Sequence, residues 1–279
     1  MHWKTNRRVI ALERPLVMGI LNVTPDSFSD GGRFVSVDAA VARATRMIAD
    51  GADMIDIGGE STRPGASRVS PEEEIERTAP AIKAIASRFD IPISIDTTKL
   101  DVAAAAIDAG AEIINDISGL RWDERLAELA ASSGAGVVLM HSRGSFESMH
   151  SQAPVDDILT EVVLGLKTSV KAATDNTVSH EQIVLDVGIG FGKTATQNLE
   201  LIANLDKIVA AFDSYPILIG ASRKSFISKV LGDVPVTDRV GASIAAAVAS
   251  VERGAKVVRV HDVAETVQAL RFVGALQDA

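Results

Sequence analysis

Gly51-Ala52-Asp53-Met54-Ile55-Asp56 sets a pattern that returns at Gly110-Ala111-Glu112-Ile113-Ile114-Asn115 and again at Gly254-Ala255-Lys256-Val257-Val258-Arg259. Each copy opens on a glycine suited to the left-handed position that ends a helix, continues as a short apolar strand and closes on a polar residue. Gly134-Ala135-Gly136-Val137-Val138-Leu139-Met140-His141 is a looser fourth copy. Ile93-Ser94-Ile95-Asp96, Ile183-Val184-Leu185-Asp186 and Ile217-Leu218-Ile219-Gly220 are three further strands, and the run from Leu16 to Leu21, ending at Asn22, is the first of the set. Short apolar runs of this kind are typical of strands buried on both faces, as in parallel sheets.

Helical patterns separate the strands. Ser70-Pro71-Glu72-Glu73 reads as a capping box with proline in the first turn, and Ile75, Ala79, Ile82, Ile85 and Phe89 mark one face of the helix that follows. Other helices are expected near 38–50, 99–109, 123–132, 155–174, 197–212, 237–253 and 263–276. Eight strand–helix units without a linker imply one closed (β/α)₈ (TIM) barrel domain over residues 1–279, with an open doubly wound sheet as the lesser alternative. Residues 1–14 fall outside the count and are expected at the barrel base or edge.

Composition narrows the classes. With 47% hydrophobic and only 4% aromatic residues, the chain can build a large aliphatic core. The absence of cysteine removes disulfide and thiolate chemistry and agrees with a cytoplasmic location. A formal charge of −9 argues against a general nucleic-acid binder, so an anionic ligand must be held by a local cluster of Arg and Lys. The start of the chain leads into no apolar run of the signal-peptide kind, and Val240 to Val251 is too short and too rich in Ala and Ser to span a bilayer. No membrane or nucleic-acid partner is expected.

Active sites of such barrels lie at the C-terminal ends of the strands. Asn22, Asp56, Asp96, Asn115, His141, Asp186, the Ser222-Arg223-Lys224 turn and Arg259-Val260-His261 all fall there. A single strand-end polar residue is usually a turn or cap, and Asn22 alone reads equally well as a turn former. So many on one rim imply a ligand site. The carboxylates and amides suit either paired acid–base work or recognition of a flat nitrogen heterocycle, whose N–H edge matches an acceptor-only carboxylate. Arg63, on the Gly-rich stretch Gly58-Gly59-Glu60-Ser61-Thr62-Arg63-Pro64-Gly65, could join Arg259 and His261 in holding a phosphate or pyrophosphate, or be a solvated loop cation. Gly188-Ile189-Gly190-Phe191-Gly192-Lys193 lacks the spacing of a P-loop; its glycines permit close backbone approach, and Phe191 is either an aromatic wall or ordinary packing. No zinc spacing and no nucleophilic triad is present.

These motifs, together with Gly19-Ile20-Leu21-Asn22-Val23-Thr24-Pro25-Asp26-Ser27-Phe28-Ser29-Asp30-Gly31-Gly32, resemble the dihydropteroate synthases over nearly the whole chain. That family joins 6-hydroxymethyl-7,8-dihydropterin pyrophosphate to p-aminobenzoate on a (β/α)₈ barrel in folate biosynthesis, releasing pyrophosphate, and is the target of sulfonamides. The resemblance implies a transferase in which Asp96, Asn115, Asp186 and Lys224 hold the pterin, with Met140 lining its pocket. It implies that Asn22 ligates Mg²⁺ on the pyrophosphate and that Arg63, Arg259 and His261 bind the phosphates. Thr62, Pro64, Phe191 and Ser222 would shape the p-aminobenzoate site once the loop carrying Phe28 closes, and Asp56 would organise the loops. It also implies a homodimer, for which the 237–253 helix supplies small residues that allow close approach.

Two departures from the family pattern stand out. Val187 follows Asp186 where proline is usual, and the loop from His141 to His150 lacks the usual Met after His, Pro after Gly-x and closing Gln. The nearest rivals are a methyltetrahydrofolate-binding barrel serving a corrinoid methyltransferase, which has no pyrophosphate to hold, and a catalytically silent pterin-binding protein.

Overall fold

Eight parallel strands close into a barrel: β3 (Leu16–Asn22), β4 (Met54–Gly58), β5 (Ile93–Asp96), β6 (Ile113–Asp116), β7 (Gly136–Met140), β8 (Ile183–Asp186), β9 (Ile217–Ile219) and β10 (Val257–Val260), the last pairing back onto β3. The structure is a computed structural model that describes residues 1–24, 37–63, 65–277 and 279. Pro64 and the loop residue Phe28, both expected at the arylamine site, lie outside the described residues.

Helices α1 (Val37–Ala49), α2 (Pro71–Ala86), α3 (Leu100–Ala109), α4 (Arg125–Ser133), α5 (Ile158–Asp175), α6 (Ala195–Ala203), α7 (Leu205–Ala211), α8 (Ser225–Leu231), α9 (Val240–Glu252) and α10 (Val263–Gln277) cover the outside. The repeat has its physical cause here. Gly110 and Gly134 end α3 and α4 at φ 117° and 72°, a left-handed conformation that side-chain-bearing residues adopt at a cost, and the chain turns at once into the next strand. Ser70 caps α2 by accepting from the Glu73 N–H at 3.2 Å.

Three boundaries differ from expectation. The 197–212 helix breaks at Asn204, which leaves helical geometry at φ −117° and ψ 28° while its N–H and Nδ2 both donate to the Glu200 carbonyl, at 3.0 and 2.9 Å. The 155–174 helix begins only at Ile158, because Asp157 caps it through the Thr160 N–H at 3.0 Å. The short α8 had no counterpart in the sequence reading, and α9 is entered through a 3₁₀ turn, Val236–Arg239.

Alternation within each strand divides the core in two. Ile55, Ile57, Ile93 and Ile95 face outward and pack with Ile82 and Ile85 of α2 in the layer between barrel and helices. Burial of each such side chain contributes about 1.5–3 kcal/mol. Inside the barrel base, Trp3 is fully buried with Leu16, Met18, Met54, Ile113, Val138, Val184, Leu218 and Val257. Trp3 sits on a two-stranded hairpin, β1 (His2–Lys4) and β2 (Val9–Ala11), and donates its indole N–H to the Gln182 carbonyl at 2.8 Å. The hairpin is fastened by the polar residues of the strand-entry repeat: Arg8 meets Glu112 at 2.8 Å, and Arg14 meets Asp53 at 3.0 Å. Among the described residues, no single helix is long and apolar enough to cross a membrane.

Candidate active site

With the base filled, the inward positions at the other end of the strands carry the polar residues. The register aligns Asn22 with Gly58, Gly58 with Asp96 and Asp96 with Asn115, so four neighbouring strands present these positions to the same inner rim. Gly58 supplies room rather than a contact: a Cβ there would stand 3.5 Å from the Asp96 Cβ and 3.6 Å from Asn22 Oδ1. Gly220 does the same across the rim, where a Cβ would stand 3.9 Å from both Asp186 Oδ2 and the Arg259 Cβ. Met140, buried beside Ile117, Phe146 and Met149, forms an apolar wall.

One charge network links four strands. Arg259 donates from Nε to Asp56 Oδ2 at 2.6 Å and from Nη2 to Asp96 Oδ2 at 2.7 Å, while Asn115 Nδ2 donates to the same Asp56 oxygen at 3.1 Å. Asp56 is fully buried and its Oδ1 has no protein partner. Burial pushes the Asp96 carboxyl up against the pull of Arg259. Burial works against the Arg259 cation, but Asp56 and Asp96 outweigh it and raise its pKa. Arg259, which the resemblance assigns to the phosphates, is held in place by two carboxylates through Nε and Nη2, two of the three nitrogens of its guanidinium.

A second set comes from β8 and the loops after β8 and β9. Asp186 is buried, accepts the Gly188 N–H at 2.7 Å and has its pKa raised by burial. Lys224 donates to the Ile189 carbonyl and stands 4.0 Å from the centre of the Phe191 ring. Burial lowers its pKa to about 7. The glycine loop is tight because its neighbours leave no space: a Cβ on Gly188, at φ 69°, would fall 1.9 Å from the His141 carbonyl oxygen. Lys193 holds that loop by donating to the carbonyls of His141, Gly188 and Phe191 at 3.1, 2.8 and 3.0 Å. Burial drives its pKa well below the usual lysine range.

The Ser222-Arg223-Lys224 turn is held in an uncommon backbone state. Arg223 has φ 57°, its N–H donates to Ser243 Oγ at 2.9 Å, and its guanidinium grips Asp262 through Nε at 2.9 Å. This orders the residues on either side of it. Ser222 Oγ accepts the His261 N–H at 3.1 Å and lies 3.1 Å from His261 Nδ1. Burial, with Arg259 and Arg223 nearby, lowers the His261 pKa to about 3, so the ring is a neutral hydrogen-bonding group there, not a fixed cation. Thr62 is half-buried and Arg63 exposed on the loop after β4, on the same face.

The structure thus brings Asn22, Asp56, Asp96, Asn115, Met140, Asp186, Phe191, Ser222, Lys224, Arg259 and His261 to one rim, with Thr62 and Arg63 on a loop above it. Sequence reading passed over Lys193, the loop fastener, and Arg43 on α1, which lies near Arg223 and Asp262 and whose pKa is lowered by burial and by Arg223. Arg43 sits within α1, where a cation reads as part of a solvated helix face. Among the described residues, no three His, Cys, Asp or Glu side chains converge as a metal cage. Chemically, the rim offers acceptors for an N–H edge, a near-neutral lysine beside them, and donors on one side for an anion.

The sequence matches the family described as pterin binding enzymes over residues 18–261. It is 49% identical over 261 residues to the dihydropteroate synthase of Clostridium beijerinckii, spanning 93% of each chain. The fold aligns with the Xanthomonas albilineans dihydropteroate synthase determined with 4-aminobenzoic acid at TM-score 0.93 and 40% identity, covering 100% of both chains. It aligns equally with the Yersinia pestis enzyme in a sulfonamide drug complex, at TM-score 0.93 and 42% identity over 100% of both. The chain therefore belongs to the pterin-binding enzymes and, among them, to the dihydropteroate synthases.

Proposed function

We propose that the rim condenses 6-hydroxymethyl-7,8-dihydropterin pyrophosphate with p-aminobenzoate to give 7,8-dihydropteroate and pyrophosphate, supplying folate biosynthesis. The observation that carries this reading is the inner space left by Gly58 and Gly220, bordered by Asp96 and Asp186 as acceptors and Arg259 at its side. The amino and ring N–H groups of a pterin suit Asp186, Asp96 and Asn115, and its ring oxygen and nitrogen suit Lys224. Met140 packs on the ring face.

The C–O bond between the pterin methylene and pyrophosphate breaks with its electron pair leaving on pyrophosphate. The electron-rich pterin stabilises the methylene left behind, and the neutral arylamine nitrogen forms the new C–N bond and then loses a proton to solvent or to the departing pyrophosphate. An aromatic amine is nucleophilic when neutral and needs no strong general base. Arg63 and the His261 Nε2 side face the developing anion, and Thr62, Phe191 and Ser222 border the arylamine. Arg259 acts by fixing Asp56 and Asp96.

The donor set fits Mg²⁺ carried in with the substrate: Asn22 presents one amide oxygen near Asp96, with no cage among the described residues, and Mg²⁺ commonly binds one or two protein oxygens plus phosphates and water. Bound there, it would neutralise charge on the departing pyrophosphate. Exposed Val230, Leu231 and Val236, with room at Gly241 among the described residues, favour a homodimer through α8 and α9, and a cysteine-free chain agrees with a cytoplasmic location. Sedimentation as a monomer at micromolar concentration would remove the dimer.

Turnover of the two substrates, followed by pyrophosphate release with and without Mg²⁺, tests the activity. Tight pterin binding without release would make the chain a silent binder.

A further inference from the structure

The loop from His141 to His150, where this chain leaves the family pattern, is rigidly built. Arg121 donates to the Ser142 carbonyl at 2.8 Å, Arg143 donates to the Gly192 carbonyl at 3.0 Å, and Phe146 and Met149 are buried in the apolar cluster with Met140. From this base the loop touches the loop after β4 twice. His150 Nε2 lies 2.7 Å from the Thr62 carbonyl, which can only accept, so Nε2 carries the proton. The Arg68 guanidinium lies over the rings of Phe146, at 4.9 Å, and Trp122, at 5.7 Å. The His150 ring also stacks on Phe191 at 6.2 Å, and Phe191 carries Lys224 on its face. At its foot, the β4 loop is closed by Lys99, whose Nζ donates to Glu60 Oε1 at 2.8 Å and to the Val69 carbonyl at 2.7 Å.

We propose that His150 is a positioning residue that docks the Thr62–Arg63 segment onto the rim ahead of the substrates, so that one wall of the arylamine subsite is built in advance. The inference rests on the activity proposed above. Both contacts come from residues outside the β4 loop, so docking depends on the His141–His150 loop and not on pyrophosphate alone. Phe191, near both His150 and Lys224, joins the arylamine side to the pterin side.

Steady-state kinetics of His150→Ala and His150→Gln, with hydrogen exchange of peptides covering Thr62 and Arg63, test this. His150→Ala should raise KM for p-aminobenzoate about tenfold, the worth of one hydrogen bond, while KM for the pterin pyrophosphate and kcat stay within about twofold. His150→Gln retains an N–H donor and should return that KM to within about threefold of the native value. Exchange at Thr62 and Arg63 without ligands should quicken in the alanine variant and not in the glutamine variant. An unchanged p-aminobenzoate KM and exchange rate in His150→Ala, or a glutamine variant no better than alanine, would overturn the proposal. Failure of the native chain to release pyrophosphate would sink the activity instead, and exchange would still judge the docking.

Discussion

Buried carboxylates lie at both ends of the barrel, and they are treated differently. At the base, Glu112 is fully buried with both oxygens engaged: Oε2 accepts from Thr5 Oγ1 at 2.9 Å and Arg8 Nε at 3.0 Å, and Oε1 from Arg8 Nη2 at 2.8 Å. At the rim, Asp56 is as deeply buried, yet one oxygen serves Arg259 and Asn115 while the other has no protein partner. Among the described residues, Ser94 Oγ, Thr98 Oγ1 and His141 Nδ1, on or just after strands leading to the rim, and Glu74 Oε1 on α2 are also buried without protein partners. A satisfied network is a fastener; polar groups left short of partners hold hydrogen-bonding capacity for a ligand, at a cost to stability. Glu112 and Asp56 differ in satisfaction, not in burial.

The largest effect should come from cutting each network at its arginine. Arg259→Met leaves Asp56 and Asp96 buried without their cation, and should destabilise the fold by about 3–5 kcal/mol and reduce turnover at least about a hundredfold. Arg8→Met should cost about 1–3 kcal/mol, because Thr5 still serves Glu112, and should leave kcat and KM unchanged. Denaturant unfolding with assays on the folded fraction checks both. Equal losses of activity would erase the distinction between base and rim.

Asp186→Asn sharpens the comparison at a single atom. The amide would turn an N–H₂ towards ligand donors or towards the Gly188 N–H, and pterin affinity should fall by about 1–3 kcal/mol. Calorimetry on the folded variant decides; unchanged affinity would take Asp186 out of the pterin pocket.

The smallest effect is a slope. His141 is buried with its pKa lowered to about 2, by burial first and then by Lys193, Arg121 and Arg143. An unfolded histidine takes its proton near pH 6.5, so below that the unfolded chain binds more protons and stability falls as pH falls. His141→Asn should remove about 1.4 kcal/mol per pH unit of that dependence between about pH 6 and 4. Comparing variant with native protein matters, because Asp96 and Asp186, raised by burial, act with the opposite sign. Parallel stability curves would show that the imidazole is charged in the folded protein.

The barrel was legible because its signals are local. A glycine that ends one helix and an apolar run that starts the next strand sit side by side, and the polar strand ends follow from counting. The break at Asn204 was hidden because apolar periodicity runs straight through a residue that leaves helical geometry at a single position, φ −117° and ψ 28°. The rim residues could be named from sequence, but not their partners. Arg259 and Asp56 lie 203 positions apart, and only barrel closure, which sets β10 beside β3, brings the guanidinium to that carboxylate. His150 looked like a mere departure from pattern because its meaning depends on Thr62, 88 positions earlier.

The chain contains only two tryptophans, and they sit at opposite ends of the barrel. Trp3 is sealed in the base, whereas Trp122 is half-buried at the rim under Arg68. In a Trp3→Phe protein, intrinsic fluorescence would come from Trp122 alone, beside a guanidinium whose arrival or departure changes its surroundings. The molecule thus carries its own optical reporter for the β4 loop, readable in real time during turnover and without any attached dye.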